Sequence, residues 1–319
     1  MDTKGLLAPH YQDEDAARAH IEKIRWPNGP VCPHCGSINQ AGKVNHKPGS
    51  KKPVRKGVWW CRSCQSQFTV NVGSIFEDTH IPLHKWLLAI HLMLSSKKGI
   101  SAHQLMRNLE IGSYRSAWFM SHRIRWALRQ EPVRELFDGT VEMDETYIGG
   151  KLRVGPHADK PGERPRDKLA GTANKTAVVS VLQRGGPVRS YQVERVTAKN
   201  LKPIVKEMVA EDAHLMTDSS FVLASAAGNR KHSQVNHDAK EYARRENGEL
   251  ITTNTVEGYF AILKRGNYGV YHHWSRKYMD LYLQEFDWRY NVRKLPDMER
   301  TVIALQMVGG KRLMLKSTN

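Results

Sequence analysis

Cysteine, acidic charge and long apolar runs are all scarce in this chain of 319 residues. Only four cysteines occur, and all fall in two Cys-x-x-Cys pairs. Disulfides would need an oxidising compartment, and redox dithiols a surrounding βαβ pattern; neither is indicated. The longest apolar run, 86–94, is too short to span a bilayer and contains His91, so no membrane contact is expected. No secretory segment is visible, because the N-terminal stretch is polar and carries Asp13, Glu14 and Asp15. A soluble, cytoplasmic protein is the expectation. Against 32 Asp and Glu stand 49 Lys and Arg, a formal charge of +17. That balance favours a phosphate-bearing partner such as nucleic acid, although a solvated basic surface has the same composition. The length allows two or three domains with at least one sizeable core.

The pairs Cys32-Pro33-His34-Cys35 and Cys61-Arg62-Ser63-Cys64 supply a tetrahedral thiolate cage for one zinc ion. Gly36 follows the first pair, where a tight turn is wanted. With all four positions filled by thiolates the ion has no open site for substrate, so its role is structural. Between the pairs, residues 37–64 hold seven basic side chains (Lys43, Lys47, Lys51, Lys52, Arg55, Lys56, Arg62) and no acid. This reads as a basic hairpin extension of a zinc ribbon, either a phosphate-contacting arm or a solvated loop.

Helical spacing follows. Pro82 can open a helix with Trp86, Leu87, Ile90 and Leu94 on its apolar face. Ser101 can cap a short helix over 102–109, and a turn through Ile111-Gly112-Ser113 leads into a longer helix from 114 to about 129. That is helix-turn-helix spacing, with Arg115, Arg123, Arg125 and Arg129 on the second helix as groove-facing candidates and Trp118, Ile124 and Leu128 as core. Pro132 ends the region.

Beyond Gly139 the pattern becomes α/β. A strand over 140–148 bears Asp144, and a glycine- and lysine-rich loop fills 149–175. Strands over 176–182 and 188–193, a helix over about 199–210 and a strand ending at Asp218 come next. Three strands, a helix and a further strand is the order of the ribonuclease H fold. A last helix carries Glu257, Ala261 and Lys264 on one face and Val256, Phe260 and Leu263 beside it. Asp144, Asp218 and Glu257 are the candidate triad, since carboxylates from two strand ends and a helix can hold two divalent cations about 4 Å apart. Without metal such a cluster repels itself and raises its own pKa values. Glu142 and Glu145 flank Asp144 and are assigned to the opposite strand face, below it in rank. Asp212 precedes its strand and ranks lower as well. Lys264 and Arg265 are candidates for a DNA phosphate near the scissile bond.

Several stretches together resemble one family. They are Cys-Pro-His-Cys-Gly from Cys32 and Cys-x-x-Cys from Cys61, then Met143-Asp144-Glu145-Thr146-Tyr147-Ile148-Gly149-Gly150 and Thr217-Asp218. They continue with Asn254-Thr255-Val256-Glu257-Gly258-Tyr259-Phe260, Leu263-Lys264-Arg265-Gly266, His272-His273 and Glu285-Phe286-Asp287-Trp288-Arg289-Tyr290-Asn291. The chain is similar to the DDE-type transposases of bacterial insertion sequences, in particular the zinc-ribbon family numbered fifteen ninety-five, the ISXO-two-like group. The resemblance implies a ribonuclease H-like core, Mg²⁺ or Mn²⁺ at Asp144, Asp218 and Glu257, and cutting and joining of double-stranded DNA at the element's terminal inverted repeats. A dimer or larger assembly on DNA follows from the need to bring two ends together.

The expected organisation is a zinc ribbon with an N-terminal helix over 1–80, a helical DNA-binding region over 81–135, the catalytic domain over 136–295 and a tail over 296–319. Two departures stand out. Residues 219–224 are less polar and aromatic than the family pattern, and Asn254, where some relatives carry an amide in place of the acid, is read as a helix cap. The aromatic and histidine-rich stretch 268–274 is either core or a stacking surface for a DNA end. A DNA-binding relic without catalysis and a metal-dependent nuclease without strand transfer remain the rival readings.

Overall fold

The computed structural model describes residues 5–45, 54–129, 135–150, 175–311 and 313. Lys47, Lys51, Lys52, Pro132 and most of the basic loop expected at 149–175 lie outside these residues. The chain divides into two compact units, one made of 1–129 with 294–319 and the other of 130–293.

The first unit begins with α1 (Glu14–Arg25), whose N-cap Asp13 accepts from Ala16 N at 2.8 Å. Glu14 and Asp15 in its first turn and Lys23 and Arg25 in its last both oppose the helix dipole. An antiparallel three-stranded sheet follows, β1 (Ala41–Lys43), β2 (Trp59–Cys61) and β3 (Gln67–Phe68), in that order. Glu22 on α1 accepts from Trp59 Nε1 at 3.0 Å and pairs with Lys43 Nζ at 2.9 Å, which ties helix to ribbon. Gly36 takes φ +73°, the left-handed turn the first Cys pair requires.

The four cysteine sulfurs all lie within 4.8 Å of one another. Cys32 Sγ is 3.6 Å from Cys64 Sγ, and Cys35 Sγ is 3.7 Å from Cys61 Sγ. Disulfide sulfurs sit about 2.05 Å apart. A tetrahedral cage with Zn–S bonds of about 2.3 Å spaces its sulfurs by about 3.8 Å. The cluster therefore suits a zinc ion and no disulfide.

Three helices complete this run: α2 (Leu83–Ser95), α3 (Ala102–Asn108) and α4 (Tyr114–Ala127). Ser101 and Ser113 cap the last two, accepting from Gln104 N and Ser116 N. Ile124 and Leu128 are buried as expected, but so are Arg123 and Arg125, at 5% and 2% exposure. Arg123 donates to the Glu77 carbonyl and lies over the Trp86 and Phe119 rings. The expectation that they face a DNA groove is corrected, because α4 is buried all round here: residues 120–125 are all buried. Arg115 and Arg129 are exposed.

The second unit holds a five-stranded sheet in the order β6-β5-β4-β7-β8, built from β4 (Thr140–Ile148), β5 (Thr176–Gln183), β6 (Val188–Val193), β7 (His214–Asp218) and β8 (Lys231–Val235). β4, β5 and β6 pair antiparallel, whereas β4, β7 and β8 pair parallel. This mixed sheet between helices is the expected ribonuclease H-like arrangement. Strand alternation gives it two apolar faces. Val141, Met143, Val179, Val181 and Leu215 pack with α5 (Ala198–Met208) and α6 (Phe221–Ala227). Ile148, Val178, Leu182 and Val188 pack with α7 (Asn254–Gly266) and α8 (Met279–Asn291). A small hairpin of β9 (Arg244–Glu246) and β10 (Glu249–Ile251) precedes α7.

The segment 296–319, read as a tail, carries a further helix, α9 (Asp297–Gln306), and belongs to the first unit. Its Thr301, Ala304 and Leu305 are buried, and Thr301 Oγ1 meets His91 Nδ1 of α2 at 3.1 Å. The reading as a tail is corrected: an apolar face recurring at helical spacing buries it.

Cys32→Ser should remove the bound zinc, measured by mass spectrometry of the metal. Ribbon amides should then exchange freely while those of the five-stranded sheet stay protected, since such a site contributes about 10–16 kcal/mol to the fold it organises.

Candidate active site

Asp144 lies in the middle of β4 on its β5 side, opposite Ser180. On the other side, pairing with β7 ends at Glu142–Met216, so the same register carried two residues on brings Asp144 level with Asp218. The expectation of two strand ends is thus met by β7 alone. β4 runs on beyond its partner, and the gap it leaves is where the acids meet. Asp144 Oδ1 accepts from Glu145 N at 2.7 Å, and Asp218 Oδ1 from Ser220 N at 2.9 Å. Each carboxylate is oriented by one main-chain bond.

The third member of the close cluster is Glu145. Ligand oxygens of Asp144, Glu145 and Asp218 all lie within 4.8 Å of one another. Glu145 Oε2 is buried with no hydrogen-bond partner among the described residues. Burial raises Asp144 to about 7, and the negative charges of Glu145, Asp218 and Glu257 push the same way. Burial and then Asp218 raise Glu145 also. Crowded carboxyls with an unpartnered buried oxygen are what a divalent cation would satisfy, so the donor set fits the implied metal.

Glu257 stands just outside this cluster, half-exposed in the first turn of α7. It is near enough to act on Asp144, and its Oε1 accepts from Thr253 Oγ1 at 2.8 Å and lies 3.1 Å from His237 Nε2. Lys264 and Arg265 are exposed at the far end of the same helix.

What anchors α7 is Glu142. It is fully buried, and its Oε2 accepts from Thr255 N at 2.9 Å and Val256 N at 3.0 Å. Its Oε1 accepts from Thr255 Oγ1 at 2.8 Å and Arg184 Nε at 2.9 Å. Arg184 also reaches the Leu250 and Thr252 carbonyls, fastening the segment that enters the helix. Two expectations are corrected. Residues two apart on a strand share a face, so Glu142 sits with Asp144 on the α7 side and only Glu145 faces away. Asn254 is the exposed first residue of α7 and makes no side-chain cap, because a strand carboxylate already occupies the helix N-terminus.

Comparison with known proteins fits this geometry. Residues 137–291 match the ISXO2-like transposase domain, and residues 12–67 match a transposase zinc-ribbon domain. The chain belongs to the ISXO2-like transposase family. It is also 24% identical over 304 residues to a Halobacterium salinarum protein described as "Uncharacterized protein in transposable element ISH50", covering 91% of this chain and 95% of that one.

As a transposase-family domain, the second unit uses its late motif as a brace. Asp287 on α8 is buried and accepts from Ser190 N and Ser190 Oγ on β6, both at 2.7 Å, and from the Tyr259 hydroxyl of α7. Asn291 closes a two-way bond with Val188. In the stretch 268–274, Trp274 is core, stacked 4.9 Å from Tyr282, whereas Tyr268, His272 and His273 are exposed. Arg55 and Lys56 on the ribbon are exposed, Lys56 pairing with Asp15. Among the described residues no helix is long and apolar enough to cross a membrane. Sequence reasoning missed His237, a single histidine in a loop with no motif to mark it.

Two outcomes follow. Glu142→Ala should cost about 3–5 kcal/mol in urea unfolding, because Arg184 and two helix amides lose a buried partner. In EDTA the folded state keeps the Asp144 proton from pH 3.8 up to about 7, so the metal-free protein loses stability as pH rises through that window. Asp144→Asn should therefore raise the melting temperature at pH 8 and have little effect at pH 4.

Proposed function

We propose that this chain is an active transposase that binds the terminal inverted repeats of its element, cuts them and joins them to target DNA. The observation that carries this reading is the convergence of Asp144 and Asp218 at the point where β4 outruns β7, with Glu257 held on the neighbouring helix. Asp144, Asp218 and Glu257 hold two Mg²⁺ or Mn²⁺ ions, and Cys32, Cys35, Cys61 and Cys64 hold one zinc. The divalent ions supply Lewis acidity at the attacked phosphate. The chain's own part is to fix the carboxylates before DNA arrives: Glu145 N and Ser220 N each donate to one carboxylate oxygen, of Asp144 and of Asp218.

In the first step the oxygen of a water molecule bonds to phosphorus as the bond to the 3′ oxygen breaks. The water loses a proton and the leaving 3′ oxygen gains one. In the second step that 3′-hydroxyl attacks a target phosphodiester in the same sense. No covalent protein–DNA link is formed, so no Ser or Tyr nucleophile is required. Lys264 and Arg265, exposed on the helix that carries Glu257, contact phosphates beside the scissile bond. Arg55, Lys56 and Arg115, with Lys51 and Lys52, contact the duplex, and a dimer or larger assembly on DNA pairs the ends. The net charge of +17 supports such binding.

Glu145 favours a second reading of the third ligand, because it is the acid within the close cluster. A strand-cleavage and joining assay on DNA carrying the element's inverted repeats, with Mg²⁺ or EDTA, separates them. Glu257→Gln should lower metal-dependent cutting by at least about a thousandfold while Glu145→Gln keeps most of it. The reverse ranking assigns the ligand to Glu145, and tight binding without cutting under any metal leaves a DNA-binding relic.

A further inference from the structure

Glu257 stands apart from the other acids, and its surroundings single out a residue with no role so far. Its Oε1 accepts from Thr253 Oγ1 at 2.8 Å and lies 3.1 Å from His237 Nε2, which is itself 3.3 Å from Thr253 Oγ1. Carboxylate, hydroxyl and imidazole close a triangle. Both contacts fall on Oε1, and Oε2 takes no hydrogen bond among the described residues.

The partners come from fixed places. His237 lies two residues beyond β8, the strand paired to β7 through Val235 and Asp218. The Tyr242 ring leans on its imidazole with centroids 5.8 Å apart. Thr253 is fully buried and precedes α7, yet it gives the helix no side-chain cap. Its hydroxyl is turned to Glu257, and Glu142 takes over the capping. The glutamate side chain is 40% exposed. Without these contacts it would sample several rotamers, whereas a metal ligand has to present its oxygen in one place.

We propose that His237 is a positioning residue for Glu257. Together with Thr253 it anchors Oε1, so that Oε2 is presented to the divalent cation shared with Asp144 and Asp218. The proposal rests on the reading of Glu257 as the third ligand. It goes beyond that reading by assigning the residue that prepares the ligand before metal and DNA bind. His237 Nε2 reaches Glu257 Oε1 as a polar contact at 3.1 Å and Thr253 Oγ1 as a hydrogen bond at 3.3 Å, and the residue itself touches neither metal nor DNA.

The test is a titration of the full chain, free of DNA, with Mn²⁺, following free ion by electron paramagnetic resonance. Wild type, His237→Ala, His237→Gln, Thr253→Val and Glu257→Gln are compared, with melting in EDTA as the check on folding. His237→Ala should weaken Mn²⁺ binding roughly tenfold or more at unchanged melting temperature, as loss of a ligand-orienting partner does. Thr253→Val should weaken it in the same direction. His237→Gln, whose amide N–H reaches the same oxygen, should recover binding to within about threefold of wild type. If Glu257→Gln weakens binding but His237→Ala does not, the positioning role is overturned and the third ligand stands. Equal loss in His237→Ala and His237→Gln also overturns it. Unchanged binding in Glu257→Gln removes the third ligand and the positioning role together.

Discussion

A single buried carboxylate, Glu142, joins the strand that carries Asp144 to the helix that carries Glu257. Glu142 receives two main-chain amides of α7, a threonine hydroxyl and the Arg184 guanidinium, and it has no contact with solvent. An ion in that position is costly to bury unless every lone pair is used. Here four donors use them. The helix amides and the Arg184 guanidinium also make the site locally positive, which suits a carboxylate. Two acids two residues apart thus have opposite duties. Glu142 docks α7, while burial, and then the like charges around it, raise Asp144 to about 7. The environment, and not the residue type, separates scaffold from chemistry.

The rest of the second unit extends the same logic. Asp287 and Asn291 bind the main chain of β6 to α8, and the Tyr259 hydroxyl brings α7 into the bond. Buried polar contacts of this kind are directional where apolar packing is not, so they set the register of helices on the sheet. Acids drawn from two strands and a helix come together only if that register holds. The motif at 285–291 is therefore read as architecture that serves the acids at a distance.

Much of this was legible in the chain itself because period and punctuation are local. Strand-like runs over 140–148, 176–182 and 188–193 mark the strands, the second of which extends one residue further to Gln183, and Ser101 and Ser113 mark helix starts at the residues that cap them. The cysteine pairs and the acids Asp144 and Asp218 carry their own spacing. What was not legible depends on partners far apart in sequence. Which arginines of α4 are buried depends on partners distant in sequence, such as Trp86 and the Glu77 carbonyl for Arg123, so Arg123 and Arg125 read as surface. The cap on α7 comes from a residue 113 positions away. Glu145 joins the cluster because β7 stops short of it, a length no pattern within β4 reveals. His237 meets Glu257 only through the course of the chain after β8.

One topological fact has a consequence in time. The first unit is not contiguous: its ribbon and helices are made first, but α9 arrives only after the whole sheet unit has left the ribosome. Until then the surface of α2 and α1 that α9 covers, including His91, stays open. Nascent chains thus carry an unfinished N-terminal core through most of their synthesis, and that core closes last. The unit bearing the ribbon is thus completed only in a chain that already possesses Asp144, Asp218 and Glu257.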